Sequence, residues 1–476
     1  MQSLAEELRK VLPAEVVLED AASLEAASRD KWDASALPEV VVKARDAEQV
    51  STLLRWASEA RVPVTPRGAG IGYVGGAVPV RGGVVLDVSG MNRILEISVE
   101  DAVAVVQPGV ITGQLQAEVR QRGMYYPPDP ASLKECSIGG NLATNAGGPR
   151  CLKYGVTRHY VLGIEVVLPN GDIVRAGGRT HKNKTGFDLI GMFVGSEGML
   201  GVITEATLRL IPLPPQRATI STSFASAREA AAAVQAIFAA GYLPAAVEIA
   251  DRFTLEASRK YSGRELSPYA QAHLLIDLDG QPESVAAEVS SLAALLALRE
   301  PLTLETAVGE QACEALWEIR REFSYSLRAT GLTKLNEDVV VPRGRLVDLM
   351  DFAASLQERH GVPVACFGHA GDGNIHVNLM VDRYYEDAAV RAKMAEVLDE
   401  LFMQVLAWGG SITGEHGIGL AKKRWFPAAT SPENRDLHRT LKKALDPAGI
   451  LNPGKFLELE GDSRVSMSRY PHEQRA

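Results

Sequence analysis

The chain is poor in the residues on which several function classes depend. Its four cysteines, Cys136, Cys151, Cys313 and Cys366, stand far apart. They match neither a zinc knuckle nor an iron–sulfur spacing, so any iron–sulfur centre would belong to another chain. The formal net charge is -9 and no run of lysine or arginine is long enough to offset it, which disfavours nucleic acid as a partner. No apolar stretch is long enough to span a membrane, and the first ten residues carry no apolar signal core. A cytoplasmic location is therefore expected, with any membrane association made through a partner. Internal repeats and low-complexity segments are absent. Histidine is also scarce, at 9 of 476 residues, which makes its placement informative.

Three of those histidines fall in two short stretches, His369-Ala-Gly-Asp-Gly-Asn-Ile-His376 and Gly414-Glu415-His416-Gly417. Imidazole nitrogens and a carboxylate suit Zn²⁺ or a similar first-row ion, and three protein ligands leave a position open for substrate. His376 opens a strand-like run whose period of two puts His376 and Asn378 on one face. His369 precedes a glycine turn that can fold it back towards His376. Glu415 and His416 are adjacent, so their side chains are expected to diverge, one to a metal and the other to a substrate proton. Spacing alone leaves a second possibility open, that these are histidines in polar turns.

The length accommodates about three average domains or two large ones. From residue 36 to 213, short strands such as Val40–Lys43 and Gly83–Asp87 alternate with helices such as Ala47–Ala60, an α+β or α/β pattern. Proline clusters around Leu210–Pro215 and ends it. The next region predicts helices over 226–241, 284–297 and 345–360 covering one antiparallel sheet. The expected organisation is a domain over 1–213, a second over 214–409, and a segment over 410–476 that returns to the first.

Three glycine-rich turns lie within the first domain. Pro66–Gly76 contains a formal G-x-G-x-x-G at Gly70, Gly72 and Gly75. A dinucleotide-binding βαβ unit would open a helix here, but Pro79 and Gly82-Gly83 intervene and the next run is a strand, so a Rossmann fold is disfavoured. What remains is a loop rich in backbone N–H groups, able to wrap a pyrophosphate. Ser137–Gly148 and Gly195–Gly201 are the other two, and together they point to loops converging on one large ligand.

Several longer motifs carry a resemblance: Arg67-Gly-Ala-Gly, Cys136-Ser-Ile-Gly-Gly-Asn-Leu-Ala-Thr-Asn-Ala-Gly-Gly, Gly195-Ser-Glu-Gly-Met-Leu-Gly, the two histidine stretches and Asn452-Pro-Gly-Lys. From about residue 36 to 456 the sequence resembles the FAD-linked oxidase family of the vanillyl-alcohol oxidase type, most closely its D-2-hydroxyacid dehydrogenase and glycolate oxidase flavin subunit branch. The resemblance implies an α+β protein with a two-subdomain FAD-binding domain and a substrate domain. It implies FAD held by Arg67, Gly68, Ala69, Gly70, Ile71 and Gly72 at the pyrophosphate, by Ser137, Gly140, Asn141, Thr144 and Gly147 along the ribityl chain and flavin, and by Gly198, Ile203 and Asn452. Ile71 stands where covalently flavinylated relatives carry histidine, so the FAD is expected to be non-covalent.

The same likeness makes His369, His376 and Glu415 ligands of a divalent metal, with zinc as the expected ion, and His416 the catalytic base and a substrate contact. Arg320, Ser324, Lys334 and Asn378 fall on the family's substrate-binding positions. Ser324 replaces the family's threonine, which keeps the hydroxyl. Arg320 and Ser324 are four apart on a helical run from Ala315 to Leu327, although Glu318, Arg321, Glu322, Glu337 and Asp338 around them would equally suit a surface salt-bridge patch. The implied activity is oxidation of an (R)-2-hydroxy acid, such as glycolate, D-lactate or D-2-hydroxyglutarate, to the 2-oxo acid by metal-assisted hydride transfer to flavin N5. Electrons would pass to a separate acceptor, such as an electron-transferring flavoprotein, an iron–sulfur subunit or a quinone pathway, in a homo-oligomer or a larger complex. Two other readings share the fold: a non-redox flavoenzyme of the alkyl-glycerone-phosphate synthase type, and an electron-relay subunit whose partner binds substrate.

Overall fold

Val50, Leu53, Leu54 and Ala57 are buried at helical spacing on the helix Ala47–Ala60, whose first turn is capped by the Asp46 carboxylate accepting from Gln49 N–H at 2.8 Å. In the computed structural model, which describes residues 3–263 and 267–457, this helix packs on a four-stranded sheet. The sheet order is Val17–Leu18, Val40–Lys43, Val84–Asp87, Val64–Arg67, with the last three strands parallel. Residues 68–83, between two parallel strands, contain neither helix nor strand, so no dinucleotide-type helix follows the glycine loop. A second, antiparallel sheet of five strands is ordered Ile94–Ser98, Val103–Val106, Val202–Arg209, Val161–Val167, Ile173–Gly177. These two sheets form two subdomains of one unit, built from residues up to Ala146, Val156–Leu213 and residues from Glu415 onward.

The C-terminal stretch is part of that unit's core. Ile450 and Leu451 are buried, Val64 N–H donates to Ile450 O and Asn452 N–H to Val64 O, both at 2.8 Å. The buried Lys442 ammonium donates to Met199 O at 2.8 Å, to Leu451 O at 2.7 Å and to Asp446 Oδ2 at 2.5 Å. A lysine with almost no exposure is tolerable only when its charge is paired and its N–H groups are all directed at acceptors.

The second unit comprises Pro214–Gly414 and, from within the first domain's sequence, Gly147–Gly155. The short insertion joins it because Lys153 Nζ pairs with Asp279 at 2.5 Å, Tyr154 donates to Asp279 at 2.8 Å and Arg150 reaches Asp277 at 3.3 Å. Its sheet has seven strands, β1 (Gln216–Phe224), β2 (Ala246–Asp251), β3 (Ala272–Gly280), β4 (Thr303–Val308), β5 (Thr333–Val340), β6 (Val364–His369) and β7 (Asn374–Val381). They lie in the order β4-β1-β3-β2-β6-β7-β5, with antiparallel neighbours throughout.

Because side chains alternate across a strand, the register sorts this sheet into two unlike faces. Ile220, Ile276, Val247, Ile375 and Val377 share one face, against the helices Ala227–Ala239, Pro282–Ala297 and Leu346–His360. The other face carries Thr219, Ser221, Ser223, Glu248, His273, Asp277, Lys334, Asp338, His369, His376 and Asn378. Helices α1 (Arg252–Ser262) and α2 (Glu310–Arg328) pack there through Leu255, Ile319, Phe323 and Leu327. Helices therefore cover this antiparallel sheet, as expected, and do so on both faces. Ile276→Ala, on the apolar face, is expected to cost about 2–5 kcal/mol in denaturant unfolding, against about 0.5 kcal/mol or less for Thr303→Ala on the exposed edge strand. Equal losses would contradict the assignment of faces.

Candidate functional site

On the polar face of the second unit, β2 places Glu248 opposite His369 of β6. One carboxylate oxygen meets His369 Nδ1 at 2.6 Å and the other accepts from Arg320 Nε on α2 at 2.5 Å. Glu248 is 1 % exposed; burial pushes its pKa up, but Arg320 and His369 together outweigh burial and hold it below the ordinary value. His376, brought beside His369 by the 370–373 turn, lies 5.6 Å from it between ring centroids, and both are buried. Period two does put His376 and Asn378 on one face. Asn378 donates to Ala365 O at 2.8 Å and His376 O at 3.0 Å, while its amide oxygen is buried without a hydrogen-bond partner.

Arg320, Ser324 and Lys334 also come together. Lys334 Nζ donates to Ser324 Oγ at 2.9 Å, and the Arg320 and Lys334 cations lie 5.0 and 5.5 Å from the ring centre of Phe367. Arg320 is buried and bonded to Glu248, which sets aside the surface salt-bridge patch. Burial, then Arg328 and Arg320, push the Lys334 ammonium down to about 7. At the end of this unit Asp338, fully buried, accepts from Asn374 at 2.6 Å and from Gly414 N–H at 2.9 Å, fixing the point from which Glu415 leaves. Glu248 and Phe367 were not singled out from sequence, and Asp338, named there only as part of a surface patch, is fully buried. In a strand each reads as an ordinary alternating residue, and only their partners more than twenty-five residues away reveal them.

In the first unit the three glycine turns meet. Ser137, the N-cap of helix Ile138–Thr144, accepts from Gly140 N–H and from Ala69 N–H at 3.2 Å. A Cβ at Gly68 would fall 2.6 Å from that hydroxyl, so only glycine fits. The third turn joins through Gly195 N–H to Leu142 O and Glu197 N–H to Ala143 O, each 2.8 Å, and through Gly198 against Pro66. Individual side chains have local duties: Arg67 donates to Arg29 O and Ala26 O, Asn141 to Thr112 at 2.7 Å, and Thr144 to Gly140 O at 3.3 Å. Ile203 lies in the strand Val202–Arg209, and Gly147 begins the insertion assigned to the second unit. Asn452 donates to Gly76 O at 3.1 Å and Glu197 O at 2.8 Å, leaving its amide oxygen buried without a hydrogen-bond partner. The same holds for Asp30 Oδ2, which faces Gly72, and a Cβ at Gly76 would meet nothing within 4 Å. Ile71 and Gly72 lead into Tyr73, whose ring stacks on His416 at 5.3 Å. Glu415 and His416 do not diverge: their side chains approach to 3.9 Å, because the segment bends instead of running as a strand.

Among the described residues no helix is long and apolar enough to cross a membrane. The pattern of the family described as FAD linked oxidases, C-terminal domain, matches residues 213–456, and that of the FAD binding domain matches residues 38–177. The chain is 40 % identical to the glycolate oxidase subunit GlcD of Bacillus subtilis over 91 % of this chain and 92 % of that one. It is 34 % identical to the D-lactate dehydrogenase of Anaerostipes hadrus over 88 % and 90 %. In fold it is similar to p-cresol methylhydroxylase solved with substrate bound, with a TM-score of 0.78 at 20 % identity over 95 % of this chain and 96 % of that one.

A lysine whose folded pKa is depressed has a definite signature. Between about 7 and 10.5 the unfolded chain retains a proton that folded Lys334 has released, so this group makes stability rise with pH across that window. The expected outcome is an Nζ NMR titration near 7 and, in Lys334→Met, loss of that part of the pH–stability slope. An ordinary ammonium titration would contradict the depressed pKa.

Proposed function

The chain belongs to the FAD-linked oxidase family, and from that premise we propose that it oxidises an (R)-2-hydroxy acid of the glycolate, D-lactate or D-2-hydroxyglutarate class to the 2-oxo acid. The observation that carries the reading is the Arg320–Glu248–His369 triad on one sheet face, which joins a carboxylate grip to an imidazole fixed for metal binding.

The first unit fits FAD. Backbone around residues 68–76 is open at Gly76, and two buried acceptors, Asp30 Oδ2 and Asn452 Oδ1, stand without hydrogen-bond partners at the glycine turns, suited to the hydroxyl and N–H groups of a nucleotide. Residues 67–72, Ser137, Gly140, Gly198 and Asn452 would hold it, and Ile71 gives no nucleophile for a covalent link. Bound FAD supplies a two-electron acceptor.

His369, His376 and Glu415 offer two imidazoles and a carboxylate, a donor set that suits zinc. Glu248 at His369 Nδ1 fixes the tautomer so that Nε2 is the ligating nitrogen. An ion there would supply Lewis acidity to the substrate hydroxyl. In the second unit, Arg320 has its Nε taken by Glu248 and so presents its two Nη groups to the substrate carboxylate, with Lys334 and Ser324 beside it. Asn378 Oδ1 offers an acceptor to the substrate. From the first unit, His416 takes the hydroxyl proton, its ring oriented by Tyr73. The electrons then leave to a separate acceptor, an electron-transferring flavoprotein, an iron–sulfur subunit or a quinone pathway, which suits a chain working as one subunit of a complex.

Anaerobic mixing with an (R)-2-hydroxy acid should bleach the flavin, and absence of bleaching across glycolate, D-lactate and D-2-hydroxyglutarate would overturn the proposal. A chelator should abolish the bleaching while the FAD stays bound. His416→Ala should keep metal and flavin but lose about 10²–10⁴-fold in reduction rate; an emptied metal site in that variant would make His416 a ligand instead.

A further inference from the structure

The turn that follows His416 is held by a residue from the third glycine loop. Both carboxylate oxygens of Glu197 accept backbone N–H groups, Oε1 from Ile418 at 2.7 Å and Oε2 from Gly419 at 2.9 Å. From the opposite side Val74 O accepts from Leu420 N–H at 2.7 Å, one residue past the Tyr73 ring that stacks on His416. The turn is built for this clamp. Gly417 has φ +85° and a Cβ there would fall 2.8 Å from Glu197 Oε1, and Gly419 has φ +49° with a Cβ 2.3 Å from Val74 O.

Glu197 is itself held in an unusual state. Its φ of 50° is in the left-handed region that a non-glycine residue seldom adopts, a cost that persists where surrounding contacts over-determine it. Its backbone is pinned on both sides, N–H to Ala143 O and O to Asn452 Nδ2. Glu197 is 9 % exposed, and burial raises its pKa against the opposing pull of the Ile418 and Gly419 N–H groups and of the Lys455 and Lys422 ammonium groups. A buried carboxylate that meets two backbone N–H groups cannot be replaced by an isostere with one acceptor.

We infer that Glu197 is a positioning residue for the reaction, clamping the 417–419 turn so that the His416 ring is held at the end of the flavin cradle. This rests on His416 as the base. It assigns the glutamate of the third glycine motif to the catalytic turn, whereas its glycines serve the cofactor.

Glu197→Gln leaves one acceptor and turns an NH₂ group towards an N–H. In the holoenzyme it should keep flavin content, metal content and substrate KM, and lower the flavin-reduction rate constant by roughly 10²-fold, the scale of a displaced catalytic group. Gly417→Ala should reproduce this with the carboxylate intact, and carries the test if the glutamine variant does not fold. In the His416→Ala background neither change should lower the rate further. In the holoenzyme, hydrogen exchange of the Ile418 and Gly419 amides should be slow in wild type and fast in both variants. A wild-type rate in Glu197→Gln, or an equal loss with and without His416, would overturn the inference. A wild-type rate in His416→Ala would instead overturn the base, with the amide exchange still reporting on the clamp.

Discussion

A carboxylate almost fully removed from water, held between a guanidinium and an imidazole, is the constraint on which the second unit depends. Glu248 touches Arg320 on a helix and His369 on a neighbouring strand through its two oxygens. Removing one member of such a set leaves an uncompensated buried charge, a loss of about 3–5 kcal/mol. The triad therefore locks α2, β2 and β6 in one arrangement. The groups it locks are also those that the proposed chemistry would need in fixed orientation, an arginine to grip a carboxylate and a histidine with one nitrogen left for an ion. Arg320 further lies against the rings of Phe367 and Phe323, so its position is set by packing as well as by charge.

The rest of the sheet follows the same division of labour. Its apolar face buries Ile220, Ile276, Val377 and Leu379 under helices, which supplies the hydrophobic stabilisation. The opposite face carries polar groups, several of them closely paired: His273, which burial alone pushes down to about 4, sits between Ser223 at 3.0 Å and Ser221 at 3.4 Å, and Asp277 accepts from Thr219, Trp317 and Arg217. In the first unit Glu197 performs an equivalent task with backbone N–H groups in place of side-chain cations.

Local features were legible in the sequence because local physics determines them. Val50, Leu53, Leu54 and Ala57 behind Asp46 specify a helix without reference to anything else, and Pro79 with Gly82-Gly83 exclude a Rossmann helix. The alternation in Ile375–Met380 places His376 and Asn378 on one face. What was not legible depends on pairing across the chain. Glu248 and His369 are 121 residues apart, and nothing in Ala245-Ala-Val-Glu-Ile distinguishes a hub from an ordinary strand residue. The insertion Gly147–Gly155 begins at the last two glycines of the second glycine turn, so its membership of the second unit became visible only through Lys153 and Tyr154 on Asp279. The left-handed backbone of Glu197 likewise leaves no trace in a Gly-Ser-Glu-Gly string.

Glu248→Gln is the most direct probe of the triad. One amide oxygen can serve His369 or Arg320 but not both, so the same substitution should loosen two functions at once: zinc affinity by about 10–100-fold, measured by competition with a chromophoric chelator, and the affinity for a 2-hydroxy acid, measured by anaerobic flavin titration in excess zinc. Both affinities falling together in a protein that keeps its FAD and its cooperative unfolding is the predicted result. Wild-type zinc and substrate affinities in that variant would contradict it.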